Sequence, residues 1–259
     1  MGDQLRIHVE PRLRRSPLVL AFGGWNDAGE AATSALGFLE NAIQAVPLAD
    51  IDPEEFYDFA VQRPEIRLGA GGERSVVWPG FGFRYGPIDT ARELVTGIGA
   101  EPNLRWSSFC DCVVRLCDEM GLDQVVLLGA YLADVVYSLP VQVTGFATDP
   151  EALKAIGVIE SSYEGPTGIP GVLGDRLARE GASVVSLWAG LPHYINAAPN
   201  PRGSLALLQK LAAHLGVAID ESGLRSEAAA FEHRVSQVVA EDSELSAYVE
   251  RLGRRELAQ

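Results

Sequence analysis

Two apolar runs of strand length, Pro17-Leu-Val-Leu-Ala-Phe22 and Gln124-Val-Val-Leu-Leu-Gly129, constrain most strongly what this chain can fold into. Neither alternates with polar residues, so each suits a strand buried on both faces, as in a parallel sheet covered by helices. Glu93–Gly99, Val141–Ala147 and Ser183–Trp188 add further strands, and Leu5–Glu10 alternates like an edge strand. Between them lie segments of helical spacing: Ala28–Val46, Trp106–Met120, Pro150–Ile156, Val172–Glu180 and Pro201–Leu215. Pro47–Tyr57 reads as loop and short helix, and Arg63–Leu68 with Arg74–Trp78 as a hairpin around a glycine-rich turn. Strands alternating with helices predict an α/β chain, a three-layer αβα sandwich with a mostly parallel central sheet. After residue 217 the strand signal ends. Residues 218–259 are rich in Ala, Glu and Arg and predict an acidic helical extension of two helices, Ser226–Val239 and Ser243–Leu252, beside a 1–217 sandwich domain.

In open α/β sheets, ligands collect at the carboxyl ends of the strands. Three loops are expected there. The first carries Gly23, Gly24, Trp25, Asn26 and Asp27, all five candidate ligand or interface residues. Gly23 and Gly24 permit a sharp turn or close backbone approach, and the following helix offers free N–H groups. The Lys-Ser/Thr of a phosphate loop is missing, and Asp27 also serves as a plain helix cap, with Glu30 three positions later as in a capping box. The second loop carries Tyr131 and Asp134, the latter a base, a ligand contact or a loop brace. The third, Trp188–Tyr194, presents His193 and Tyr194 after Pro192. A histidine there can shuttle protons, yet no G-x-S-x-G nucleophile elbow accompanies it. Tyr163 lies in a punctuated loop, Tyr163–Gly171, and joins the candidate ligand or interface residues.

The 21 Lys+Arg against 35 Asp+Glu leave a formal charge of −14, which disfavours phosphate backbones and anionic membrane surfaces as partners. No apolar run approaches the ~20 residues of a membrane span, and Met1–Glu10 lacks the apolar core of a signal peptide. The three cysteines, Cys110, Cys112 and Cys117, fall on one helix, with Cys110 and Cys117 sharing a face and Cys112 pointing elsewhere. With no His nearby in sequence, they read as reduced core thiols rather than metal ligands, and neither metal nor cofactor is expected. Reduced thiols fit a cytoplasmic location.

Taken in order, Phe22-Gly-Gly-Trp-Asn-Asp-Ala-Gly29, Gly129-Ala-Tyr-Leu-Ala-Asp-Val-Val136, Pro140-Val-Gln-Val-Thr-Gly145, Gly165-Pro-Thr-Gly-Ile169 and Leu191-Pro-His-Tyr194 resemble the signatures of the proteasome assembly chaperone 2 family, in its bacterial and actinobacterial branch. The resemblance implies a nucleoside-phosphorylase/hydrolase-like sandwich, self-assembly (a homo-oligomer, with a trimer expected) and a protein client. This chain has Val136-Tyr-Ser-Leu-Pro140 where the family commonly carries a Pro-His-x-Arg-Pro-like run. It has two lysines, Lys154 and Lys210, too few for the nucleotide-ligase chemistry sometimes attached to the family. The expected function is a non-catalytic binding or assembly protein. The alternative is an enzyme on a small polar or nucleoside-like substrate, with Asp27, Asp134 and His193 converging at the carboxyl edge of the sheet.

Overall fold

The computed structural model describes residues 4–13, 16–69 and 71–256, so parts of the N-terminal segment, of the hairpin turn and of the last residues of the extension lie outside it. A nine-stranded sheet organises the chain. Its four central strands are β7 (Glu93–Ala100), β2 (Leu18–Gly23), β8 (Gln124–Ala133) and β11 (Ser183–Pro192). All three pairings among them are parallel, so their carboxyl ends share one rim. On one side β6 (Phe81–Pro87), β3 (Val46–Ile51) and β1 (Leu5–Ile7) continue the sheet antiparallel; on the other, β9 (Val143–Ala147) runs antiparallel to β11, and β10 (Ile159–Glu160) joins β9 in parallel.

The apolar runs behave as their composition requires. Leu18, Leu20 and Phe22 face one core, with Leu127 and the helices α2 (Trp106–Met120) and α4 (Ile169–Arg179). Val19 and Ala21 face the other, with Val126, Leu128 and the helices α1 (Ala31–Ala42) and α5 (Pro201–Leu215). A short helix, α3 (Pro150–Ala155), lies beside β9 and contributes Leu153 to that second core. Successive residues of a strand point to opposite faces, so a strand apolar at every position must be covered twice. The result is a sandwich of helix, sheet and helix.

Several boundaries differ from the sequence reading. The helix expected to reach Val46 ends at Ala42, and the start of Pro47–Tyr57, expected as loop and short helix, lies instead in β3 (Val46–Ile51). Pro47 obscures that strand; the sheet accommodates it through a register shift between Pro47 and Ala49. β8 and β11 each run on through the residues expected as loops, so Tyr131 and Trp188–Pro192 belong to strands. Helix α4 starts at Ile169 rather than Val172, because Pro170 is tolerated in a first helical turn. The hairpin forms as expected, from β4 (Glu65–Leu68) and β5 (Arg74–Val77), but as a separate two-stranded sheet exposed at every strand position.

Cys112 does not point away from its neighbours' surroundings: all three cysteines are buried in the core beneath α2 and form no disulfide. Burial, with Asp111 next in effect, pushes the Cys110 thiol up to about 11. Burial, with Asp118 next in effect, pushes Cys117 up to about 12, so both stay protonated and unreactive at neutral pH.

The chain ends in α6 (Ser222–Glu241) and α7 (Ser243–Glu256). Leu224 of α6 enters the core beside α5. Further along α6, Phe231, Val235 and Val239 gather Tyr137, Ile195, Leu245 and Val249 into a small cluster that fastens both helices to the rim.

Candidate functional site

The rim is built where β2, β7, β8 and β11 end. Gly23 closes β2 as its last residue, paired with Ala100 of β7. Gly24 then turns the chain. Its φ of 115° lies in the left-handed region that favours glycine, and its carbonyl accepts from Asp27 N (3.1 Å). The sequence allows either a sharp turn or a ligand's close approach as the reason for a glycine at Gly24, and the turn alone accounts for it: a Cβ there would meet only Glu101 Cβ, at an ordinary 3.9 Å. Trp25 projects into solvent with 66% of its surface exposed.

Asn26 turns inward. Its carbonyl accepts a hydrogen bond from Ala130 N (2.9 Å), which carries the loop across to β8. Its side-chain amide is buried and, among the described residues, has no hydrogen-bond partner. It lies directly under Gly168, where a Cβ would fall 2.1 Å from Asn26 Oδ1, so only glycine fits at the entry to α4. Glu101, just past β7, stitches the same corner: its N–H donates to Gly23 O (2.9 Å), and its Oε1 accepts from Ile169 N (2.8 Å) at the first turn of α4. A carboxylate at a helix N-terminus offsets the positive end of the backbone dipoles.

Asp27 is a capping residue, in a longer register than the capping box anticipates. A single 3₁₀ turn, Ala28–Glu30, precedes α1, and the Asp27 carboxylate reaches past it. It accepts from Ala32 N (2.6 Å), from Thr33 N and from the Thr33 hydroxyl. Burial raises its carboxyl pKa, and the hydrogen bonds from Thr33 and Ala32 pull the other way. A carboxyl with a raised native pKa stabilises the fold most fully below its unfolded value, and that contribution is lost as pH rises through the native value. Asp27→Ala strips the acceptor from buried donors and is expected to cost about 2 kcal/mol in urea denaturation. Asp27→Asn keeps an acceptor. Against it, the wild type should gain stability as pH falls from 7 towards 4; a constant difference over that range would refute the buried-carboxyl account.

Asp134 and His193 do come together. Asp134 follows β8, His193 follows β11, and His193 Nδ1 lies 3.1 Å from Asp134 Oδ1. The His193 N–H donates to Ala133 O (3.1 Å), which pins the two strand ends side by side. Both side chains are exposed, and α7 lies against them: Tyr248 donates to Asp134 Oδ1 (3.3 Å), and its ring meets those of His193 and Tyr194 edge-on at 5.7 and 5.6 Å. The Tyr194 hydroxyl donates to Val135 O and accepts from Tyr137 N, each at 2.9 Å, bracing the turn after β8. The Asp27 carboxylate is spent on α1 and takes no part in this pair. Tyr131 packs its ring over Gly190 of β11. Tyr163 is exposed and bonds back to Pro166 O (3.0 Å) within its own loop.

Sequence reasoning missed Glu101, Asn200, Arg202, Glu232 and Tyr248. Asn200 caps α5 by accepting from Gly203 N (3.1 Å), and its own N–H donates to Gly29 O (2.7 Å). Arg202 reaches Glu232 of α6 (3.3 Å) and donates to Leu139 O (2.7 Å). Only Asn200-Pro201, a cap followed by proline at the first helical position, carries a local sequence signal. The others become visible through contacts across the fold. Among the described residues, no helix is long and apolar enough to cross a membrane.

Comparison with known proteins places this geometry. A proteasome-assembly chaperone homologue of Mycobacterium tuberculosis is 40% identical and superposes with a TM-score of 0.82, covering 90% of this chain and 99% of its own. A PAC2 family protein of Streptomyces avermitilis is 38% identical with the same TM-score and the same coverage of both chains. A Corynebacterium glutamicum protein of unknown function, 22% identical, shares the fold over 99% of this chain and 98% of its own, with a TM-score of 0.89. No curated sequence matches the chain significantly. The PAC2 family model matches residues 21–239, from the first buried strand through most of α6, and the chain belongs to the PAC2 family.

Proposed function

We propose that this protein is a non-catalytic binding and assembly factor that associates with itself, as a trimer, and with a protein client. The observation that carries this reading is a cluster of exposed apolar side chains on the hairpin. Ile66, Leu68 and Val76 are 55–71% exposed on one face of the arm, and Trp78, at its base against Phe59, is exposed as well. A two-stranded hairpin without a packed face is marginal in water, so an arm of this kind suits burial against another chain. The arm carries Arg63, Arg67 and Arg74 against Glu65 and Glu73, a basic balance on a chain of −14 that suits an acidic partner surface, its own included. Trp25, exposed on the rim, offers a second aromatic anchor of the type enriched at interfaces. Kinship to a proteasome-assembly chaperone homologue supports the client reading. Unbridged, buried thiols support a cytoplasmic location, and the contacts of α6 and α7 with the rim support reading 218–259 as an extension that trims that surface.

Light scattering on the pure protein and copurification from native extract test the proposal. The wild type should scatter as a trimer of the 27.8 kDa chain and bring down a stoichiometric partner. The triple variant Ile66→Ser, Leu68→Ser, Val76→Ser should keep the melting temperature and lose self-association, the partner, or both. A monomer recovered alone at low and high salt, or a triple variant that behaves as wild type, overturns it.

A further inference from the structure

We propose that the cavity between the strand ends and α6 binds a free α-amino acid with an apolar side chain. This inference does not rest on the assembly reading. The cavity encloses about 600 Å³, within the range of small-molecule sites. Val136, Leu191, Ile195, Phe231 and Val235 provide apolar walls, drawn from the turn after β8, the end of β11 and the inner face of α6. Three charged side chains stand on this lining: Arg202 and Glu232, which face each other, and Asp134, which is engaged by His193 and Tyr248. Arg202 lies in the first turn of α5 with its side chain only 15% exposed, and Glu232 faces it from α6.

Their pairing is incomplete. Arg202 Nη2 donates to Leu139 O at 2.7 Å, and Nε stands 3.3 Å from a single oxygen of Glu232. A guanidinium carries five N–H donors and matches a carboxylate best through two parallel bonds. Among the described residues, the Arg202–Glu232 contact uses one edge, which leaves guanidinium donors and the second Glu232 oxygen for a guest. A guest that satisfies both must carry an anion and a cation a few bonds apart. An α-amino acid does so: its carboxylate takes the open donors of Arg202, its ammonium takes Glu232, and its side chain lies on the apolar wall. A zwitterion also adds no net charge to a chain of −14, whereas a simple anion would enter against that field. Because Phe231, Glu232 and Val235 all belong to α6, the site is complete only with the C-terminal extension in place.

Calorimetric titration and thermal unfolding of the full chain test this with leucine and phenylalanine as probes, 4-methylpentanoate as the analogue without ammonium, and leucinamide as the analogue without carboxylate. At least one of the two amino acids should bind with a Kd of about 1 mM or tighter and raise the melting temperature. Each one-pole analogue should bind at least about tenfold more weakly, and Glu232→Gln should weaken the amino acid by a similar factor. Val235→Trp, which fills the cavity and leaves both charges in the chain, should abolish binding; it keeps the test decisive if a charge variant misfolds. Lack of binding by both amino acids up to about 10 mM, a value set tenfold above the expected Kd, overturns the proposal. So do analogues that bind as well as leucine, or an unchanged affinity in Glu232→Gln or Val235→Trp. In each of those cases the Arg202–Glu232 pair is a fastening for α6 and nothing more.

Discussion

Phe109→Ala is expected to remove about 3–5 kcal/mol from the stability of this protein, a large share of the roughly 5–15 kcal/mol by which such domains stay folded. Phe109 is fully buried on α2, and its ring sits edge-on to three others: Phe56 at 5.5 Å, Phe81 at 5.5 Å and Phe22 at 6.1 Å. Phe22 in turn stacks on Phe81 at 4.6 Å. Four rings from a central strand, a helix, an antiparallel strand and a loop thus pack as one cluster, and truncating the middle one leaves a void that none of the others can fill by a rotamer change. The urea midpoint should fall steeply while the slope of the transition holds. Phe146→Ala, on an exposed face of β9, serves as the control and should shift the midpoint little. Equal losses at the two positions would show that the ring cluster is not the keystone of that face of the sheet.

Gly99→Val should cost about 3 kcal/mol or more, at the top of the overpacking range. Gly99 lies opposite Phe81 in the β6–β7 ladder, and a Cβ there would fall 2.2 Å from Gly80 O and 2.6 Å from Phe81 Cα. Both are backbone atoms, so the clash cannot be relieved by turning a side chain. The strands must part, and with them the end of β7, on which Glu101 and the corner with α4 depend. Gly82→Ala, in the neighbouring strand, meets nothing within 4 Å and should stay within about 0.5 kcal/mol of the wild type. Chemical denaturation of the pair separates a steric demand from the ordinary weakness of glycine in strands; similar stabilities would contradict the tight approach of β6 to β7.

What is legible in the chain before its structure follows the strength of local signals. Leu18–Phe22 and Val125–Leu128 stand out because a strand buried on both faces has no polar residue to confuse the pattern. β6 stays hidden: glycine and proline interrupt Phe-Gly-Phe-Arg-Tyr-Gly-Pro, and its place in the sheet depends on the ladder with β7. β3 is masked by Pro47. At the rim, the expectation that the turns carrying Trp25, Tyr131 and His193 share an edge follows from parallel pairing alone. Asp134 and His193 meet there because they end adjacent parallel strands that are in register to the last residue, Pro192 against Ala133. The sequence leaves two uses open for Gly24 and for Asp27 alike; a positive φ commits the one to the turn, and hydrogen bonds commit the other to α1. The Arg202–Glu232 pair has no local signature, since it joins α5 to a helix that crosses back over the rim.

The order in which the sheet is assembled has a consequence for how the chain is made. β2 lies between β7 and β8, and its β8 partner Val125 is synthesised roughly a hundred residues after it, at about 5–20 residues per second. For on the order of 5–20 seconds Leu18–Phe22 therefore has no finished neighbour on its β8 side, and an apolar run of this kind is prone to aggregate during that interval. On this topology the chain itself needs shelter for that stretch during its own translation.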